Sequence, residues 1–493
     1  MQFNSIPFVL FFLVFYFLYW SFPKKFREFF LLFGGMFFYG YASFPFLLHF
    51  LIVIGINFLF YHWILKTENS KLPISLAVIF NLLNLGFFKY FYFFCNFLYH
   101  LSGNEYFLFL KTEIKVPLPL AISFYTFQMI ALLVDTFRKK PETQEILSLF
   151  RFTIFFLFFP VLIAGPIMRA GDFFPNFEKE TPQREDVYRG GYLLISGFIK
   201  KVLLADPLAS LISGVYLNPF EYHWSSLLLS GFIFMTQLYF DFSGLTDIAR
   251  GIAFLLGFEI PENFKAPFFS LSLNEFWTRW HITLSTWLRD YLYFSLGGSR
   301  VVTWRIYFNL FLTMTLGGFW HGADYTFLAW GAYWGVFLIL ERLNEQYFHF
   351  SLGESLPIKV IRAFLVFVVC SVSVLMFRSN SASDMLELFI GIFRNTDVYM
   401  TSLIQANYGT WILEGMNLVG GSESIALSRI KNLETGFYAM FLMIVFHVFQ
   451  YKPFDLRKFE KYEPYLLVTL GVITVFLMTT LSQEGEVFIY YKF

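Results

Sequence analysis

Charge is what this sequence has least of. Only 14% of its 493 residues are Asp, Glu, Lys or Arg, whereas 57% are hydrophobic. A water-soluble domain has no core large enough for that much apolar chain, so the composition excludes an ordinary soluble fold. The net charge of +1 leaves no basic surplus, which argues against a nucleic-acid partner and against a polybasic membrane patch. Cysteine is almost missing: Cys95 and Cys370 both sit in apolar runs and are expected to be free buried thiols rather than a disulfide framework. Familiar catalytic signatures are missing too. There is no G-x-S-x-G elbow, no H-E-x-x-H zinc pair and no phosphate-cradling glycine loop. Nor does the first segment, Ile6 to Phe22, carry a basic leader or a small-residue cleavage site. It reads as a retained span, with the N-terminus outside and Lys24, Lys25 and Arg27 on the cytoplasmic side.

What remains is hydrocarbon in long blocks, including 73 phenylalanines. Apolar segments lie at 29–42, 45–65, 72–99, 224–257, 357–377, 434–450 and 464–481, with others interrupted between them. Each span needs about 20 apolar residues. The expectation is therefore one all-α, polytopic membrane domain over 1–493, with roughly 11–13 spanning or re-entrant helices. Pro117 and Pro119, followed by Ser123, Tyr125 and Gln128, predict either a broken helix beside a polar cavity or a kinked span. Lys89 in its aromatic run reads as snorkelling to the interface. Residues 172–192 read as a loop or interfacial helix, and 380–432 as an interfacial stretch. The basic residues at 138–140 and 452–461 fall on the expected cytoplasmic side, which carries the final span and the C-terminus outward.

The chain is organised around residues 263–342. Ser272 with Glu275 fits a capping box, and Gly297-Gly298 a stop, which together predict one helix between them. Along it Trp277, Trp280, Leu284 and Trp287 form an apolar stripe. Beside it, Asn274, Thr278, His281, Ser285 and Arg289 form a polar one, which lipid cannot satisfy. His321 lies in Gly317-Gly318-Phe319-Trp320-His321-Gly322, where the glycine pair is expected to end or loosen the helix over Leu310–Leu316 and allow close approach of a ligand. His281 alone reads equally as a packing histidine. Together with His321 it suggests a general base that takes a proton from an attacking hydroxyl.

In the 224–257 helix, Asp241 and Asp247 are six residues apart with Ser243 between them. The carboxylates point to different faces, so an orienting role or an ion pair with Arg250 or Arg289 is expected rather than an acid–base pair. Lys200-Lys201 reads as a contact for an anionic donor or for lipid headgroups.

These residues resemble the membrane-bound O-acyltransferases, in the branch that includes alginate O-acetyltransferase and the teichoic acid D-alanyltransferase. Trp320-His321-Gly322 matches the family's central histidine. Glu275 to His281, with Arg289-Asp290-Tyr291-Leu292-Tyr293 after it, matches the second histidine segment. Departures are Ser295, where the branch often has Pro, Thr278, where it often has Arg, and Trp334, where a third His is common. The resemblance implies a ring of helices around a central funnel in the bacterial inner membrane, lined by Asp241, Ser243, Asp247, Ser285, Arg289 and Trp320. It implies His321 and His281 as catalytic residues, an acetyl-CoA donor, no metal, and a periplasmic SGNH-type acyltransferase or esterase as partner to a polysaccharide acceptor. Tyr490 or Tyr491, in the aromatic C-terminal motif, would relay the acyl group. D-Alanyl transfer from a carrier protein is the alternative chemistry. A transporter or a non-catalytic scaffold is the alternative class, although the inverted repeats of a transporter are not visible.

Overall fold

The computed structural model describes all residues except 2, 4, 139–145, 179–182, 350–352, 396–422, 452–461 and 482–493. Lys139, Lys140, the 452–461 cluster and both Tyr490 and Tyr491 lie outside the described residues. The protein is all-α: the described residues contain helices, turns and coil, and no strand. Four helices among them are long and apolar enough to cross a membrane: Phe44–Lys66, Lys71–Ser102, Leu356–Arg378 and Glu463–Thr480. Two shorter apolar helices are Ile6–Ser21 and Thr435–Tyr451.

Two compact units divide the chain discontinuously. The first comprises Met1–Gly197, Leu245–Glu262 and Thr286–Leu292; the second comprises Phe198–Gly244, Asn263–Ser285 and Tyr293–Phe493.

In the first unit, helices Ile6–Ser21, Lys24–Ala42, Phe44–Lys66 and Lys71–Ser102 follow one another and pack in sequence. Their boundaries follow from local chemistry. Ser5 and Ser43 each accept a backbone N–H three residues on, with Pro in the first turn, where its missing N–H costs nothing. Gly103, at φ +68°, closes the fourth helix in the left-handed geometry that glycine adopts freely. Inside, Asn57 and Asn81 exchange amide hydrogen bonds of 3.2 and 2.6 Å between the two long apolar helices, satisfying polar groups that lipid would strand. The outer faces expose large apolar side chains such as Phe17, Phe33 and Leu59, as lipid-facing helices do. After Pro117 and Pro119 the chain stays non-helical as far as Ala121, which sits at φ +59°; only then does the helix Ile122–Arg138 begin. Helix formation is thus displaced beyond the prolines. Of residues 172–192, expected as a loop or interfacial helix, the described part holds the short helical turns Ala170–Phe173 and Phe174–Glu178 and the start of the helix Arg184–Phe198.

In the second unit the helices Thr303–His321 and Tyr325–Leu343 form a close hairpin. A side chain at Gly318 would run into the Phe327 carbonyl and the Gly331 backbone, and one at Gly331 into Met314 and Thr315. The glycines thus permit helix contact at backbone distance, the small-residue packing common in membranes. This corrects the expectation for Gly317-Gly318: the helix runs straight through the pair and ends at His321. The helix Leu356–Arg378 packs on Tyr325–Leu343.

Candidate functional site: two histidines in an aromatic pocket

The single helix expected after Ser272 is two helices. The capping box is present: Ser272 Oγ accepts the Glu275 N–H at 3.1 Å, and Glu275 Oε2 accepts the Leu271 N–H at 2.7 Å. The helix Leu273–Arg279 then stops, Trp280 is extended, and His281 takes φ +42° before Ile282–Trp287 resumes. A left-handed histidine is strained and persists only where its surroundings hold it. Asn263 does so here. Its backbone carbonyl accepts the Ile282 N–H at 3.0 Å. Its side-chain oxygen accepts the Thr283 N–H at 3.2 Å and the Thr283 hydroxyl at 2.6 Å. The left-handed residue turns the chain between the two helices, yet Trp277, Trp280 and Leu284 of the expected apolar stripe still line one pocket, whereas Trp287 leaves it to stack on Phe127.

His321 is reached differently. It is the last residue of its helix, and Gly322 is extended at φ −158°. A side chain on Gly322 would collide with the Phe327 ring, so glycine lets the chain double back at once. Asp324 then caps the returning helix by accepting the Thr326 N–H at 2.9 Å.

These two routes bring His281 and His321 to one pocket of the second unit. Its wall is aromatic: Phe276, Trp277, Trp280, Trp330, Trp334 and Phe377, with Ser373 as the further polar residue. Ser373 is engaged, its hydroxyl donating to the Cys370 carbonyl at 2.7 Å. His281 is buried, with the Phe242 ring edge-on at 4.7 Å, and neither ring nitrogen has a hydrogen-bond partner among the described residues. His321 stands perpendicular to Trp330, centroids 5.1 Å apart, and edge-on to Trp320 and Phe377 at 5.0 and 5.4 Å. Trp334 is buried flat on Phe276 with Trp277 edge-on to it.

The other predicted site residues lie elsewhere. Asp241 is buried in an ion cluster in which Lys201 Nζ reaches Asp206 at 2.7 Å and Asp241 at 2.9 Å. This corrects the pairing expected with Arg250 or Arg289, and also the reading of Lys201 as a contact for donor or headgroups, since the lysine is enclosed. Lys200 is buried as well, over the rings of Tyr239 and Phe446. Ser243 is buried near that helix position, and its hydroxyl has no partner among the described residues. Ser285 donates to the Trp280 carbonyl at 3.1 Å across the helix break. Trp320 packs against His321 but does not line the pocket.

Asp247 and Arg289 belong to the first unit. Asp247 accepts from Ser196 at 3.1 Å. Arg289 pairs with Asp290 at 2.7 Å, and Asp290 with Arg169 at 2.6 Å. Partial burial alone would raise the Asp290 pKa, but the two guanidiniums hold it below the usual carboxylate range. Arg250 pairs with Glu262 at 3.0 Å. Trp287, of the expected stripe, stacks on Phe127 at 3.7 Å within the first unit.

Sequence reasoning did not anticipate Asn263, Trp330 or Phe377 as parts of the site, and it took Trp334 for a departure. The available signal was the density of tryptophan around both histidines.

A polytopic helical protein with paired histidines in a buried aromatic pocket is the class these features define. The chain belongs to the membrane-bound O-acyltransferase family, whose model matches residues 69–379, and it is a multi-pass membrane O-acyltransferase. A probable alginate O-acetylase of Pseudomonas aeruginosa is 36% identical over 85% of this chain and 77% of its own length. A peptidoglycan O-acetyltransferase of Helicobacter pylori is 29% identical over 97% of this chain and 94% of its own. A teichoic acid D-alanyltransferase of Bacillus subtilis is 30% identical over 46% and 61%.

Proposed function

We propose that the protein moves an acetyl group from a cytoplasmic thioester, acetyl-CoA, toward hydroxyls of an extracytoplasmic polysaccharide, with His321 as general base. The observation that carries this reading is the convergence of His281 and His321 on one pocket with a largely aromatic wall. The acceptor oxygen bonds to the acyl carbon as its proton passes to His321. The C–S bond then breaks, and the departing thiolate collects that proton. A thioester is already activated, so the reaction needs no metal. His281 positions the reactants or shuttles a second proton.

Two features favour acetyl over D-alanyl. The alginate and peptidoglycan acetylating relatives match over most of the chain, whereas the alanylating relative matches less than half. Among the described residues no carboxylate lines the pocket, and an alanyl ammonium entering it would lose water without gaining a counter-charge from them.

In this reading the protein sits in the inner membrane with both termini outside. Tyr490 or Tyr491 carries the acyl group to a periplasmic SGNH-type partner. A phenol near pKa 10 becomes a competent nucleophile once a base removes its proton, and its aryl ester is a better donor than an alkyl ester. Asp241 and Asp247 serve structure, and Trp320 orients His321. In membrane vesicles supplied with labelled acetyl-CoA, His321→Ala is expected to insert normally and to lose about 10²-fold or more of polymer labelling. Wild-type labelling by that variant overturns the mechanism; labelling from a D-alanyl donor alone overturns the substrate.

A further inference from the structure

We propose that the indole N–H groups of Trp277, Trp330 and Trp334 bind the acyl oxygen as it becomes an oxyanion, so that these tryptophans are catalytic residues and not only the pocket wall. The proposal rests on the acyl-transfer reading above. All three rings line the pocket that holds His281 and His321. In each the indole nitrogen is buried and has no hydrogen-bond acceptor among the described residues. Two buried or half-buried indoles outside the pocket are satisfied: Trp20 donates to the Leu255 carbonyl at 3.0 Å and Trp287 to the Phe127 carbonyl at 2.9 Å. Buried donors are normally satisfied, and each exception calls for a cause. Three exceptions in one pocket, beside two histidines, call for a shared one.

The geometry suits an anion that exists only in passing. Trp334 is held flat against Phe276, ring planes 3° apart and centroids 5.4 Å apart, with Trp277 edge-on at 5.0 Å. Trp330 is held by His321 at 5.1 Å and by Phe377 at 5.3 Å. Donors fixed by packing need not reorganise when charge develops, and behind a mainly apolar wall they act through a lower dielectric than in bulk water. When the acceptor hydroxyl oxygen bonds to the acyl carbon, its proton goes to His321 and the carbonyl π pair moves onto the acyl oxygen. That oxygen accepts from the indoles. The pair then returns to re-form the carbonyl, the C–S bond breaks, and the thiolate takes the proton from His321. A ground-state thioester carbonyl carries little charge, so the indoles act mainly on turnover and little on donor binding.

The test uses membrane vesicles containing the full chain, labelled acetyl-CoA, and the three variants Trp277→Phe, Trp330→Phe and Trp334→Phe. Each keeps a ring and removes the donor. At saturating acetyl-CoA, at least one variant is expected to lower turnover per folded molecule by about 10²-fold, with the KM for acetyl-CoA little changed. Should a phenylalanine variant fail to fold, benzothienylalanine at the same position keeps the bicyclic shape and replaces only the N–H. Wild-type turnover by all three, with His321→Ala inactive in the same vesicles, overturns the indole proposal and leaves the acyl-transfer reading standing. A lower melting temperature with unchanged turnover assigns the rings to packing and likewise overturns it. An active His321→Ala removes the reading beneath.

Discussion

His281 shows how much one residue's backbone decides. Its left-handed φ of +42° costs an L-residue roughly 1–2 kcal/mol, a cost from which glycine is exempt. His281→Gly is therefore expected to raise the melting temperature of the purified protein, or leave it unchanged, while polymer acylation falls steeply. His281→Ala should lose acylation as well and be less stable than His281→Gly, since alanine keeps the strain that glycine relieves. A packing histidine predicts the opposite for glycine: lower stability with unchanged turnover per folded molecule. The Asn263–Thr283 bond of 2.6 Å belongs to the same device. Thr283→Val, which leaves the Asn263 acceptor with one donor fewer, should lower acylation, and Thr283→Ser should restore it.

At the scale of elements, the segment Ile199–Ala205, wound more loosely than an α-helix, carries Lys201 to Asp206 and Asp241. Removing the middle charge takes the cation from between two buried carboxylates. Breaking a buried pair in this way costs about 3–5 kcal/mol. Lys201→Met is thus expected to depress expression and melting temperature sharply, while whatever protein folds keeps its KM for acetyl-CoA. A lysine that met the donor's phosphates would instead fold normally and raise that KM, so measuring both separates the two roles. The hairpin Thr303–His321 to Tyr325–Leu343 makes a different point. Gly318 and Gly331 bring the helices together, and it is this approach that sets Trp330 and Trp334 opposite His321.

For the whole molecule, the proposed path runs from a cytoplasmic donor to an outer acceptor and ends on Tyr490 or Tyr491. Deleting residues 488–493, or making the Tyr490→Phe, Tyr491→Phe double variant, should abolish polymer acylation while leaving insertion intact. Intact-mass measurement after incubation with acetyl-CoA should then find an acetyl group on the terminal peptide of the wild type and none on the double variant. Full polymer acylation by the double variant would rule out the relay. The D-alanyl alternative predicts no acetyl adduct here and an adduct of different mass on the same peptide when a D-alanyl carrier replaces acetyl-CoA, so the paired spectra also report the donor.

Much of this protein was legible in the chain alone, because membrane folding leaves composition little freedom. Scarce charge and long apolar blocks imply helices, since a spanning backbone must satisfy its own hydrogen bonds. The Ser272–Glu275 box was legible for the same kind of local reason: its two bonds lie within residues 271–275. The two histidines announced themselves as costly groups in a hydrocarbon setting. What pattern could not foresee was set by contacts distant in sequence. Asn263 breaks the helix at His281 from 18 residues away along the chain, against a periodicity that argued for continuity. Asp241 found Lys201, 40 positions earlier, because the enclosed lysine had to be neutralised wherever the helices brought a carboxylate. The tryptophans were visible as a count, but only the packing of the Thr303–His321 hairpin against its neighbours makes them the wall of a pocket.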